Sequence, residues 1–459
     1  MKTLLQTGTL ITMNAEREIL ERCDVLIDDD RIAGIFSAGA GNNIHADKVL
    51  DCKEKIIMPG MVSGHSHLTG IFQRGLWNEP TFEGWISKSN ATERLVNLSA
   101  EDIYALHCAA CAEFLRHGVT TVLNMFAVRP ALDLEKIDAS SRAFIDTGIR
   151  GVLAVALQDR STNGEPQPGP FADKSWMPVI RDLFERITNS SSRVGFMLAP
   201  GAPQWCSDQL LFPCRELAEE LDIGIHTHLF ETEGNAEAGR RLHGEPVLPH
   251  LENIGFLSGR LSVAHCNWSA DEDIEMLAKH DVKVVHNPSA NMKLGSGFAR
   301  VKKMRRAGLT VGLGADSVNA GTVYSVFEQM KLAVLAPRIL WGAENWVLPE
   351  EAFEMATVGG AKALLLDKFV GSIEEGKKAD LVVLNPKISL LPANDLINQI
   401  ALGENGESVE SVFVDGSPVL LNGRLETVNE TDLLAAVASL APRIRQARNV
   451  VLRSAANRT

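Results

Sequence analysis

Residues 56–67 read Ile56-Ile57-Met58-Pro59-Gly60-Met61-Val62-Ser63-Gly64-His65-Ser66-His67. A short apolar run, the mark of a buried strand, ends on two histidines set two positions apart. Seven more runs of this kind follow: Val119–Asn124, Val152–Leu157, Val194–Leu198, Ile223–Thr227, Leu261–Ala264, Val282–Val285 and Val311–Leu313. Helix-like stretches lie between them. Ser99 precedes Ala100-Glu101-Asp102 and a stripe of Ile103, Leu106, Ala110 and Phe114, closed by Gly118. Ser269-Ala270-Asp271-Glu272 opens another, carrying Ile274, Met276 and Leu277. Buried runs alternating with helices predict an α/β fold with a parallel sheet, and eight such units predict a (β/α)8 TIM barrel. An open doubly wound sheet is the alternative, weakened because no GxGxxG follows the first strand.

The flanks have a different texture. Thr3–Leu5 and Leu10–Thr12 read as short strands, and Asp24–Ile27 and Ile32–Ile35 enclose the Asp28-Asp29-Asp30 turn. Near the other end come Ala379–Leu384, Val409–Val414, an Asp415-Gly416 hairpin turn and Val419–Leu421. These segments predict one small β-sandwich built from both termini. The expected division is residues 1–57 and 370–435 for the sandwich, 58–369 for the barrel, and 436–459 for a C-terminal helix packed on the body. That last stretch carries Arg443, Arg445, Arg448, Arg453 and Arg458 and no acid. The loop 163–170 after the third run reads as a lid or as a surface insertion, with equal weight.

Composition excludes several classes. Of 459 residues 45% are hydrophobic and 22% charged, as in globular proteins, with 45 Lys+Arg against 58 Asp+Glu for a net −13. So acidic a surface repels phosphate backbones, and no nucleic-acid partner is expected. No apolar run approaches the roughly 18–20 residues of a membrane span, and no membrane partner is expected. Gln6, Thr7, Gly8 and Thr9 interrupt the start, leaving no signal-peptide core. Seven scattered cysteines point to reduced thiols and a cytoplasmic setting. Cys108 and Cys111 form a CxxC inside a helix, read as core packing. His107 and His117 on the same helix are read as structural, and Lys302, Lys303, Arg305 and Arg306 as a solvated face.

Catalytic residues of such barrels sit where strands end. Run one ends on His65 and His67, run five on His226-Thr227-His228 followed by Glu231, run six on His265, and run eight on Asp316. Alternate strand residues share a face, so His65 and His67 both reach the barrel mouth. Imidazoles with one carboxylate suit a divalent metal such as zinc. His286, ending run seven, is either a supporting group or a hydrogen-bonded bystander.

The chain resembles the amidohydrolase superfamily, in its deaminase and chlorohydrolase branch, the branch of triazine hydrolases and S-adenosylhomocysteine deaminases. The resemblance rests on Pro59 to His67, Arg74-Gly75-Leu76, Trp85, Thr227 to Thr232, Ala264-His265-Cys266, His286 to Leu294, Gly312 to Asp316 and Gly371 to Leu381. It implies that His65, His67, His228 and Asp316 bind one divalent metal per chain: Zn2+, or Fe2+ or Co2+ in its place. It also implies that Glu231 shuttles protons and that His265 holds the attacking water or the departing group, with Asp316 accepting the water proton. Two-metal relatives use a lysine on the fourth strand; here that strand, Val194 to Pro200, has none.

Departures from the family bear on the substrate. Ser63 stands where relatives have Asn, and Gly201 where nucleoside-deaminating relatives often have a ribose-contacting His. Trp77, Arg160 and Trp205 are the expected substrate-binding residues, with Phe126 either a wall or core. The expected function is a metal-dependent hydrolase: metal-activated water attacks an electron-poor carbon in hydrolytic deamination of a nitrogen heteroaromatic ring. The alternatives are the same machinery expelling chloride, alkylamine or thiolate from a triazine or (thio)carbamate-type compound, and a non-catalytic scaffold. The expected partners are a small-molecule substrate and further copies of the chain, as a dimer or tetramer.

Overall fold

The computed structural model describes residues 1–40, 44–79, 81–128, 131–161, 164–171 and 173–456. Eight parallel strands form the barrel: β6 (Met61–Ser63), β7 (Val119–Phe126), β8 (Arg150–Leu157), β9 (Val194–Pro200), β10 (Gly224–Leu229), β11 (Leu261–His265), β12 (Lys283–His286) and β13 (Val311–Leu313). The ring is completed by Gly64 N–H donating to Leu313 O (2.8 Å) and Asp316 N–H donating to His65 O (3.1 Å). Nearly every strand residue is buried, as expected where helices cover the outside and side chains fill the inside.

The remaining strands come from both ends of the chain. They are β1 (Lys2–Ile11), β2 (Ile19–Asp28), β3 (Arg31–Ser37), β4 (Lys48–Asp51) and β5 (Ile56–Pro59), then β14 (Leu381–Leu384), β15 (Val409–Val414), β16 (Ser417–Leu421) and β17 (Arg424–Leu425). Together they form one mixed sheet in which β5 pairs with both β1 and β14. The free edge of β1 is shared between β4 and β5. Leu5, Val25, Ile27, Ile57, Leu381 and Phe413 make its own small core.

Two details depart from the sequence reading. The run Ile56–Ser63 is two strands: β5 joins the terminal sheet, and β6 enters the barrel after Gly60. A β-carbon at Gly60 would collide with the Thr120 side chain, so the crossover needs glycine. Thr3–Leu5 and Leu10–Thr12 are one strand, not two. Its pairing with β2 shifts register near Gly8, and Thr7 takes φ +64°, so the interruption in the apolar pattern is a bulge.

Arg150, at the start of β8, ties the two sheets together. Its Nε and Nη2 lie 2.9 Å from the two carboxylate oxygens of Asp380, and Nη2 also meets Asp415. All three side chains are buried. Ser99 caps α2 (Ala100–Arg116) in a reciprocal box with Asp102. Helix α1 (Phe82–Val96) carries the C-terminal helix Ala441–Ala456 on its flank, and Arg443 donates to Asp102 (2.6 Å). No helix among the described residues is long and apolar enough to cross a membrane.

Candidate active site

The strand ends bring His65, His67, His228, Glu231, His265 and Asp316 together. His65 Nε2 stands 3.6 Å from Asp316 Oδ1, and His67 Nε2 3.8 Å from the same oxygen. His67 Nε2 and His228 Nε2 are 3.2 Å apart. His265 Nε2 lies 3.8 Å from Glu231 Oε1 and 3.9 Å from Asp316 Oδ2. Two ligands held tetrahedrally at 2.0–2.1 Å stand about 3.4 Å from each other, so the inner distances have the scale of a zinc shell.

The hydrogen bonds behind the rings decide which nitrogen faces inward. His67 Nδ1–H donates to Met125 O (2.7 Å) and His228 Nδ1–H donates to Gly201 O (2.6 Å). A carbonyl can only accept, so both Nε2 atoms carry lone pairs and aim them at each other. His265 Nδ1 meets Asn291 Oδ1 (2.8 Å). Nε2 of His65 and of His265 are buried with no hydrogen-bond partner among the described residues. Burial keeps these imidazoles neutral: His67 and His228 are pushed down to about 4, and His65 and His265 well below the usual value. Converging lone pairs beside a carboxylate fit a divalent cation and little else.

The carboxylates respond in the opposite sense. Burial raises Asp316 to about 6. Burial, and then the charges of Asp316 and Glu83, hold Glu231 well above the usual carboxylate range. The backbone is bent to reach this arrangement: Phe230, His265, Cys266 and Asp316 all have φ between +51° and +78°. Left-handed φ is uncommon for such residues and gathers at functional sites.

A cavity of about 200 Å³ opens onto these groups. Trp205 lines it, and Phe82, Trp85, Gln158, Glu93 and Asn319 line it as well. Trp85 Nε1–H donates to Asn319 O (3.1 Å), which fixes its ring. Trp77 and Arg160 are not among the lining residues. Trp77 is buried with Lys88 over its ring, and Arg160 borders a separate hollow with Asp159, Pro166 and His243. Phe126 is core, edge-on to His107. Ser63 accepts from Ala315 N–H (3.1 Å), bracing the loop that carries Asp316.

Tyr324, which donates to His67 O (2.7 Å), carried no sequence signal. His286 has neither ring nitrogen hydrogen-bonded among the described residues, and its ring packs against Phe298. His107 is held by Thr69 and Ser140, a structural histidine, and Cys108 and Cys111 are buried in α2 with raised thiol values. Of the loop 163–170, Asn163 lies outside the described residues; Gly164 N–H donates to Ser161 O, and Arg160 bridges to Pro166.

A barrel with this constellation defines a class. Residues 56–419 match the amidohydrolase family, and the chain belongs to that family of hydrolases. The 5-methylthioadenosine/S-adenosylhomocysteine deaminase of Thermoanaerobacter pseudethanolicus is 32% identical over 448 residues, covering 97% of this chain and 100% of the relative. An adenosine deaminase from Xanthomonas campestris, solved with bound zinc, superposes with TM-score 0.88 at 24% identity, covering 97% of this chain and 98% of that one. The zinc complex of atrazine chlorohydrolase from Arthrobacter aurescens gives 0.87 at 23%, covering 95% and 99%. At those identities the last two likenesses are of fold.

Proposed function

We propose that the protein holds one divalent metal, zinc first among the candidates, on His65, His67, His228 and Asp316, and hydrolytically deaminates a compact nitrogen heteroaromatic ring. The observation that carries the reading is the set of inward Nε2 lone pairs beside Asp316. The metal would supply a bound water acidified toward about pH 7. Asp316 takes the water proton. Glu231, whose burial favours its protonated form, delivers its proton to a ring nitrogen, takes up the hydroxyl proton as the adduct collapses and passes it to the departing amine, after which the water proton held on Asp316 restores it. His265 offers Nε2 to the water or the leaving group.

The substrate class follows from the walls. The cavity is smaller than the roughly 300–1,000 Å³ of drug-sized pockets. Gly201 has no side chain, so no ribose-binding donor extends from there, and a β-carbon at that position would stand 3.3 Å from Trp205 Cε3 and 3.4 Å from Gln158 Oε1. Trp205, Trp85 and Phe82 instead offer flat apolar faces to a ring. The same walls favour, as a second reading, a small triazine or carbamate-type compound that loses chloride, alkylamine or thiolate. Ammonia is the preferred leaving group because a relative matching 97% of this chain is named a deaminase.

The test is an ammonia-release screen of the zinc-loaded protein over purines, pterins, pyrimidines and triazines, with nucleosides alongside. Release from a free base or simple ring supports the proposal. Release of chloride or thiolate without ammonia selects the second reading. No turnover of any compound by protein with full metal content counts against both. Size-exclusion with light scattering tests the expected dimer or tetramer.

A further inference from the structure

Three imidazoles at the barrel mouth set Nδ1 against a fixed acceptor: Met125 O, Gly201 O and Asn291 Oδ1. His65 differs. Its Nδ1 stands 2.8 Å from Nε2 of His226, and Nδ1 of His226 stands 2.7 Å from Ser262 Oγ. The three side chains are buried. His226 precedes His228 by two positions on β10, so both point into the barrel, His226 one layer deeper.

A ring nitrogen facing another ring nitrogen fixes neither. In one arrangement His65 Nδ1–H donates to His226 Nε2, and His226 Nδ1–H donates to Ser262 Oγ; His65 Nε2 is then a lone pair. In the other, the Ser262 hydroxyl donates to His226 Nδ1, and His226 Nε2–H donates to His65 Nδ1. His65 Nε2 then bears the hydrogen and cannot hold a cation. Each ring keeps one hydrogen in both arrangements, and the hydroxyl keeps its own, so they differ in tautomer and not in charge.

We infer that His226 and Ser262 are positioning residues whose relay sets the tautomer of His65, and that an ion at the centre selects the first arrangement. The inference rests on the metal reading above. It makes Ser262, on the strand that ends in His265, part of the support for a histidine just past the end of β6.

The experiment measures Zn2+ affinity of the metal-free full chain by competition with a chromophoric chelator. A wild type that binds no zinc defeats the metal reading itself. Given a binding wild type, His226→Phe keeps a ring but removes the acceptor, and should weaken zinc binding about 10–100-fold, the usual effect of losing an outer partner of a ligand histidine. His226→Gln keeps an acceptor oxygen near the lost Nε2 and should bind within about threefold of wild type. A packing role alone would reverse that order, since Phe fills the space better. Nitrogen-15 spectra of the zinc-loaded wild type should show both His65 and His226 as Nδ1–H. Folded Phe and Gln variants that both bind like wild type overturn the inference. Should the Phe variant not fold, His226 found as Nε2–H in loaded protein overturns it, and Nδ1–H with weakened binding in Ser262→Ala supports it.

Discussion

Nε2 of His67 and Nε2 of His228 face each other across 3.2 Å, although each ring has already given its hydrogen to a backbone carbonyl. Two lone pairs so placed repel unless a cation lies between them. Metal-free protein is therefore expected to be less stable than loaded protein. Zinc at one hundred times its Kd should add about 2.7 kcal/mol to unfolding. Calorimetry with and without chelator reads this, and elemental analysis should find one metal per chain. Two tightly bound ions, both needed for turnover, would refute the single-metal reading.

Ligand and shuttle should separate on mutation. His65→Ala and His228→Ala are expected to lose metal and activity together. Glu231→Gln should retain the metal and lose about 10²–10⁴-fold in kcat, the range for a general acid–base group. Metal content measured beside rate decides, and a Glu231→Gln protein without metal would reassign its role.

Adenosine and its thioether derivatives are expected to be poor substrates beside a compact ring. Without a donor from position 201, a buried ribose hydroxyl loses about 1–3 kcal/mol. Steady-state assays giving kcat/KM above about 10⁴ M⁻¹s⁻¹ for any of them would show that another wall serves the sugar.

Acid should destabilise the fold through buried histidines that do not line the cavity. Burial pushes His107 and His286 down to about 3, against about 6.5 in the unfolded chain. With the folded value below the unfolded one, their contribution is complete above pH 6.5 and is lost as pH falls from there toward 3. Urea midpoints across that window should drop steeply, and His107→Gln should remove up to about 1.4 kcal/mol per pH unit of the slope. An unchanged slope in that variant would mean that His107 is not held neutral.

Much of this molecule was legible in its sequence because its signals are periodic or chemical. Eight apolar runs alternating with capped helices specify a barrel, and histidines two apart at the end of a run must share a face. What escaped depends on contacts between distant segments. Trp85 and Gln158 became cavity walls, while Trp77 and Arg160 did not, because loop paths decide which side chains turn inward. The split of the first run turned on the close approach of Gly60 to Thr120. The left-handed bends at Phe230, His265, Cys266 and Asp316 carry no glycine to announce them.

Arg150 gives the two sheets a common fate. Its guanidinium is buried, and both counter-charges, Asp380 and Asp415, come from the far end of the chain. Stripping one partner from a buried pair costs about 3–5 kcal/mol, a large share of a typical protein's margin of about 5–15 kcal/mol. Peeling the terminal sheet from the barrel would take both carboxylates away from that cation. What looks like two modules to the eye should therefore melt as a single cooperative unit, with one calorimetric transition, and a barrel cut free at residue 369 should not survive alone.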